Sequence, residues 1–378
     1  MKNCPKFIAF YFPQFHTFPE NDKWWGKGFT DWKLVKEAKP LYDGHQQPKL
    51  PMDGVFYNPC KKDVLMKQAK LAKEHGIEGF MIYHYWYDGK LLLEKPLETL
   101  RDNKDIDISY CVCWANETWS RTWIGKPQSI LIEQKHTPDK KLWLEHFNYL
   151  LPFFKDKRAI KKDNKPVIVL YKPDLIKEGD KMISYWRELA VENGLEGLYV
   201  IANKNHTYIN DAFLESYDGL LKFQPREIHN SSHYKQRSFV DQFQFLRTLP
   251  VWIMNLLRKI KHQLYNHIII DSKDIWKILL DRAYINDHSS YNLDIYESGF
   301  FHWDNTPRYK NKARIFTELT KDEKIECISK LRKKAIENNS EFIFWNAWNE
   351  WSEGTYLEPD NYRGYENLEV VKTVFKKD

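Results

Sequence analysis

Two glutamates three residues apart lie near the C-terminal end of the chain, in the run Phe342-Ile343-Phe344-Trp345-Asn346-Ala347-Trp348-Asn349-Glu350-Trp351-Ser352-Glu353-Gly354-Thr355. An apolar stretch that reads as a buried strand empties into both carboxylates, tryptophans flank them, and a Gly-Thr breaker follows. Paired carboxylates beside aromatic surface suit sugar chemistry. One carboxyl can keep a proton, favoured by apolar neighbours, while the other stays ionised. The plainer alternative is a strand end whose acids face solvent, and the tryptophans weigh against it. For Glu353 to act as a general acid, its pKa must be raised, and Trp348 and Trp351 offer the apolar surroundings. Both acids can reach one substrate only if the chain turns back after Glu350, which Gly354 would permit.

Other strand ends carry residues of the same kind. Tyr11, Gln14 and His16 follow the first apolar run, and His84, Tyr85 and Trp86 close the second. Trp114, Asn116 and Glu117 end the third, Trp303 and Asp304 the seventh, and Asn349 and Trp351 flank Glu350 at the eighth. Asp31 and Trp32 stand in a long first loop. These residues are expected to bind substrate. Glu117 is the rival acid, and Asp304 could equally be structural. Imidazoles at one rim (His16, His84, His302) raise the thought of a metal, but nothing has ligand spacing and no metal or cofactor is expected.

The elements that must position these groups repeat as strand, loop, helix. Apolar runs at Phe7–Pro13, Gly79–Tyr85, Ile108–Trp114, Pro166–Tyr171, Leu198–Ala202, Gly219–Phe223, Gly299–Trp303 and Phe342–Ala347 alternate with amphipathic stretches at Lys61–His75, Pro138–Leu151, Glu178–Asn193, Ile275–Tyr284 and Lys321–Asn338. Continuous apolar strands alternating with helices imply a parallel sheet covered on both faces. Eight of them, with no Gly-rich dinucleotide loop after the first, predict a single α/β domain, a (β/α)8 TIM barrel over 1–378. Two regions depart from the repeat: the aromatic first loop, Thr17–Pro59, and an insertion at about 229–294 before strand 7. Within the insertion, 251–270 is apolar and basic at once. It reads as a helix packed on the barrel or forming a lid, or as one lying peripherally on an acidic inner-membrane surface.

Composition bounds the function. Aromatic residues make up 16% of the 378, including 15 Trp, more than core packing demands and apt for stacking on pyranose faces. The net charge of +6 comes from lysines scattered among acids without an Arg-rich block, which argues against nucleic acid as a partner. Five cysteines do not suggest a disulfide framework, and Cys111 and Cys113 are expected on one strand face as buried thiols. The N-terminus lacks a secretory signal and no run reaches the length of a spanning helix, so the cytoplasm is the expected compartment.

Ala9–His16, Trp25–Trp32, Trp114–Glu117, Trp303–Arg308 and Trp348–Thr355 together resemble the WbsX-type proteins of bacterial surface-polysaccharide loci. That group is similar to glycoside hydrolase family 99, (β/α)8 endo-α-mannosidases. The resemblance implies catalysis by the two glutamates of Asn-Glu-Trp-x-Glu-Gly-Thr, with retention of configuration. The position of Glu350 would take the proton of the sugar 2-hydroxyl so that O2 attacks C1. That of Glu353 would protonate the leaving oxygen and then activate water. Ser352 stands where relatives often carry His. The resemblance also leaves a second class open, because WbsX-type proteins are labelled glycosyltransferases: transfer in O-antigen or capsule biosynthesis from a nucleotide-sugar or lipid-linked donor. Asp105-Ile106-Asp107 has a DxD form but precedes its strand. A third class, a carbohydrate-binding protein without catalysis, is disfavoured by the presence of both glutamates.

Overall fold

The computed structural model describes residues 4–121, 126–206, 208, 210–230, 253, 267–281 and 292–376. Nine parallel strands run β1 Lys6–Tyr11, β2 Gly79–Tyr87, β3 Ser109–Trp114, β4 Lys165–Leu170, β5 Tyr199–Lys204, β6 Gly219–Lys222, β7 Asp294–Tyr296, β8 Ser298–Gly299 and β9 Phe342–Trp345. Each of β1 to β6 pairs with the next, β6 pairs with β7, β8 with β9, and β9 with β1. Only Glu297 separates β7 from β8, so these two share one of eight staves and the sheet closes into a (β/α)8 barrel.

Helices cover the outside where the apolar period expects them, at Lys62–Glu74, Lys140–Phe154, Gly179–Glu192, Ser272–Leu280 and Lys321–Glu337. The last begins at a capping box, in which the Thr320 hydroxyl accepts from the Glu323 amide and the Glu323 carboxylate from the Thr320 amide. Pleating divides each strand between two cores. Phe10, Met81, Tyr83, Tyr85, Cys111, Cys113, Val169 and Phe344 fill the barrel. Ala9, Tyr11, Ile82, Trp86, Val112 and Trp114 pack outward against the helices. Cys111 and Cys113 do share the interior face, as buried free thiols.

The seventh strand departs from the expected Gly299–Trp303. Its ladder ends at Gly299, paired with Trp345, and Phe300–Trp303 is a buried connection. Aromatic burial produces the same composition in a packed loop as in a strand, so pattern alone misplaces the element. An added Cβ at Gly299 would collide with the Trp345 ring, so glycine is required where the stave meets it.

The long first loop carries two short helices, Pro19–Trp25 and Asp31–Glu37. Of the insertion, Ile268–Ile270 pairs in parallel with Arg314–Phe316 outside the barrel, and Trp276 and Leu279 of the following helix are buried. The basic, apolar stretch 251–270 lies outside the described residues except for 253 and 267–270. Among the described residues no helix is long and apolar enough to cross a membrane.

Candidate active site

The C-terminal mouth of the barrel holds a cavity of about 310 Å³, within the range of small-ligand sites. Glu350 and Glu353 both line it, with Glu117 across from them and the tyrosines of the barrel interior, Tyr83, Tyr85 and Tyr171, as its floor. The two glutamates converge because the chain turns back on itself. Asn349–Glu350 pairs antiparallel with Thr355–Tyr356, and Trp351–Glu353 forms a single 3-10 turn between them. Gly354 ends that turn at φ +60°, where an added Cβ would lie 2.8 Å from the Asp304 nitrogen. Only glycine satisfies both demands. The Asp304 amide donates to the Glu353 carbonyl at 2.9 Å, and the Thr355 hydroxyl to the Asn346 carbonyl at 2.6 Å, which pins the hairpin to β8 and β9.

Electrostatics separates the two acids. Glu353 accepts both oxygens' worth of hydrogen bonds from Arg226 Nη2 (3.0 and 3.1 Å) and one from Arg308 Nη1 at 2.6 Å. Burial pushes its pKa upward, but the two guanidiniums outweigh burial and hold it below the ordinary carboxylate value. Among the described residues Glu350 receives only a long contact, from Arg308 Nη2 at 3.5 Å. Burial therefore dominates there and raises its pKa to about 8, with Arg308 opposing and Glu353 and Asp31 adding to the rise. The expectation that Glu353 is the acid with a raised pKa is thus corrected: Glu350 is that acid. Trp351 faces away, stacked on Tyr356 with its indole donating to Glu358 at 2.7 Å, and Trp348 packs on Phe80 in the outer core. Neither supplies the apolar surroundings that the sequence suggested.

Arg308 organises the cluster. It donates to Asp31 Oδ2 at 2.8 Å, and its guanidinium lies over the Phe12 ring. Asp31 also accepts from the Ser352 hydroxyl. Ser352 therefore joins the first loop to the turn that carries Glu353.

The remaining candidates divide by strand parity and by layer. Gln14, Tyr85 and Glu117 line the cavity. Tyr11, His84, Trp86 and Trp114 sit on the outer face of their strands: Tyr11 donates to Gln68 (2.8 Å), His84 meets His146 (2.9 Å), Trp86 stacks on His146 and Trp114 donates to the Trp86 carbonyl. None of these four reaches the cavity, since one residue along a strand reverses the side chain. Others stand behind its walls. Asn116 fixes Lys172 through both its amide and its carbonyl, Asn349 does the same for Phe12, and Asp304 accepts from His45, Gln47 and Thr306. His16 bonds the Pro13 carbonyl, Trp32 packs between Phe15 and Trp351, and Trp303 lies under the Arg226 guanidinium. His16, His84 and His302 are engaged separately, and among the described residues no group of three or more His, Cys, Asp or Glu side chains is arranged to hold a metal ion. Asp105 and Asp107 pair with Lys62 and Lys73 before β3, away from the cavity.

Sequence reasoning missed Arg226 and the hairpin of Trp119–Arg121 with Lys126–Ile132, which walls one side. Trp119 packs edge-on to Tyr85 and against Trp24, while Trp25 of the first loop lines the cavity beside it. A Pro-Arg at the end of the sixth strand was a visible signal for Arg226. The hairpin had none stronger than its aromatics.

A family model described as Glycosyltransferase WbsX matches residues 7–371. The chain belongs to the WbsX family. Protein WxcX of Xanthomonas campestris pv. campestris, itself uncharacterised, is 31% identical over 368 residues, 97% of this chain. The chain spans about half (49%) of the length of that relative. Among solved structures, a glycoside hydrolase-like protein aligns over 100% of this chain and 96% of its own with a TM-score of 0.60 at 13% identity. The family 99 endo-α-mannosidase of Bacteroides thetaiotaomicron, solved with bis-tris propane, aligns over 98% and 96% with a TM-score of 0.56 at 13% identity. The chain shares its barrel fold with those structures, and the description of its family is that of a glycosyltransferase.

Proposed function

We propose that the protein cleaves or transfers α-linked glycosidic bonds in a bacterial surface polysaccharide or its precursor, with retention of configuration. The observation that carries this reading is the pair of carboxyls brought to one cavity by the Asn349–Tyr356 hairpin, one favouring its proton and one its charge. In the proposed sequence Glu350 takes the 2-hydroxyl proton, O2 bonds to C1, the C1–O bond to the leaving group breaks, and Glu353 delivers a proton to the departing oxygen. Water or an acceptor hydroxyl then gives its proton to Glu353 and bonds to C1 as the C1–O2 bond breaks, while Glu350 returns its proton to the released O2. Each cycle needs one proton on the pair, and the raised pKa of Glu350 beside the lowered one of Glu353 supports that count at neutral pH. Before the first step that proton must pass from Glu350 to Glu353.

Oligosaccharide from the surface polysaccharide of the source bacterium, incubated with the protein, should yield shorter or rearranged saccharides, and Glu353→Gln should stop this. Undiminished turnover by that variant sinks the assignment.

The family's description favours a second reading, transfer from a nucleotide-sugar. Calorimetric titration with nucleotide-sugars, with and without Mg²⁺ or Mn²⁺, separates the two, since the first reading predicts no metal-dependent heat.

A further inference from the structure

The proton transfer just described would leave one cation in the cavity without a counter-ion. Arg226 and Arg308 face the carboxylates of Asp31 and Glu353, while burial favours the proton on Glu350. When the proton sits on Glu353 instead, Arg308 still lies between two carboxylates, Asp31 at 2.8 Å and Glu350 at 3.5 Å. Arg226 does not. Among the described residues its only ion pair is with Glu353, and Glu117 across the cavity is already beside Lys172 at 3.6 Å.

Arg226 is also built to receive something else. Among the described residues its Nη2 alone contacts Glu353, its side chain is 39% exposed, and its Cζ lies over the Trp303 ring, 5.5 Å from the centroid, at the cavity wall. A planar fork held with an open edge is the geometry that takes a carboxylate or phosphate through two parallel hydrogen bonds. Arg308, by contrast, is 6% exposed and divided among three carboxylates.

We propose that the saccharide entering this cavity carries an anionic group, a ring carboxylate or a phosphate ester, and that Arg226 receives it. The inference rests on the reading of the site as one for saccharides. It gives the substrate a part in its own catalysis. An anion that draws Arg226 away from Glu353 weakens one of the two attractions that hold Glu353 ionised, and the proton of Glu350 can then pass to the residue that must deliver it. A neutral saccharide leaves Arg226 on Glu353 and the pair in its resting arrangement.

The test compares three probes against the full chain by calorimetry: an oligogalacturonide, a neutral oligosaccharide of equal length, and a sugar phosphate. Each is titrated at low and high salt into wild type, Arg226→Met and Arg226→Lys, with folding of both variants verified by circular dichroism. The expected result is at least tenfold tighter binding of one or both anionic probes than of the neutral one, weakening with salt. That preference should vanish in Arg226→Met and be partly kept in Arg226→Lys. Tight binding of the oligogalacturonide alone identifies a ring carboxylate, and of the sugar phosphate alone a phosphate. Equal binding of neutral and anionic saccharides, or a preference that survives in Arg226→Met, overturns the inference while leaving the saccharide reading intact. Failure of all three probes to bind overturns both.

Discussion

Replacing Glu350 by Gln should make the protein more stable while removing its activity, by an amount that grows with pH. The buried carboxyl titrates near 8 in the folded chain against 4.5 when unfolded. Its folded pKa is raised, so its contribution is fully favourable below 4.5 and is lost as the pH climbs towards 8. In that window the unfolded chain has released a proton that the folded chain retains. Stability therefore falls by about 1.4 kcal/mol per pH unit, reaching a total loss of about 5 kcal/mol. Glutamine copies the shape of the protonated carboxyl and has no such loss. The contact it would forfeit, 3.5 Å from Arg308, is a weak one. The variant should thus match wild type near pH 4.5, exceed it by about 3 kcal/mol at pH 7, and exceed it by about 5 kcal/mol above pH 8. For a chain of 378 residues the pH 7 difference corresponds to a rise in Tm of about 4 °C. Thermal melts of both proteins by circular dichroism from pH 5 to 9 measure it. A difference that stays flat with pH, or a variant that loses ground to wild type as the pH rises, would refute burial as the dominant influence on Glu350.

Arg308→Met should destabilise the fold by about 3–5 kcal/mol at neutral pH, because Asp31 and Glu353 would lose their shared buried cation. Since the folded pKa of Glu353 is depressed, the stability it lends is present above about 4.5 and disappears as the pH falls, so the deficit should be smaller in urea melts at pH 4 than at pH 7. Gly354→Ala combines a left-handed backbone with a collision against Asp304 and should cost more than about 2 kcal/mol. Turnover should fall with it, and a melt indistinguishable from wild type would show that the turn can be built otherwise. Trp119→Ala removes an aromatic wall of the cavity and should raise the KM for saccharide about tenfold or more, with a smaller change in kcat, in initial-rate assays.

The barrel was legible because eight apolar runs and the helices between them repeat a period that few folds satisfy. The seventh run was misplaced because Phe300–Trp303 is buried as a connection, and burial is what the pattern reports. The candidate acids were legible as well, since Glu350 and Glu353 follow a strand and precede a glycine. Strand parity was harder to read. Tyr83 and Tyr85 face the cavity while His84 and Trp86 face helix Lys140–Phe154, and a run buried on both faces, as β2 is at all nine positions, leaves no alternation from which to choose the inner side.

By itself the sequence determined the element order, the one position where only glycine can turn the chain back, and the presence of two carboxyls at a barrel mouth. Tertiary structure alone decided which carboxyl holds the proton. Trp348 and Trp351 adjoin the acids along the chain but turn their rings elsewhere, whereas Arg226 and Arg308, 127 and 45 residues away, reach Glu353 directly. A carboxyl's pKa answers to charges within a few ångströms and to the water it has lost, and neither quantity is measured along the chain.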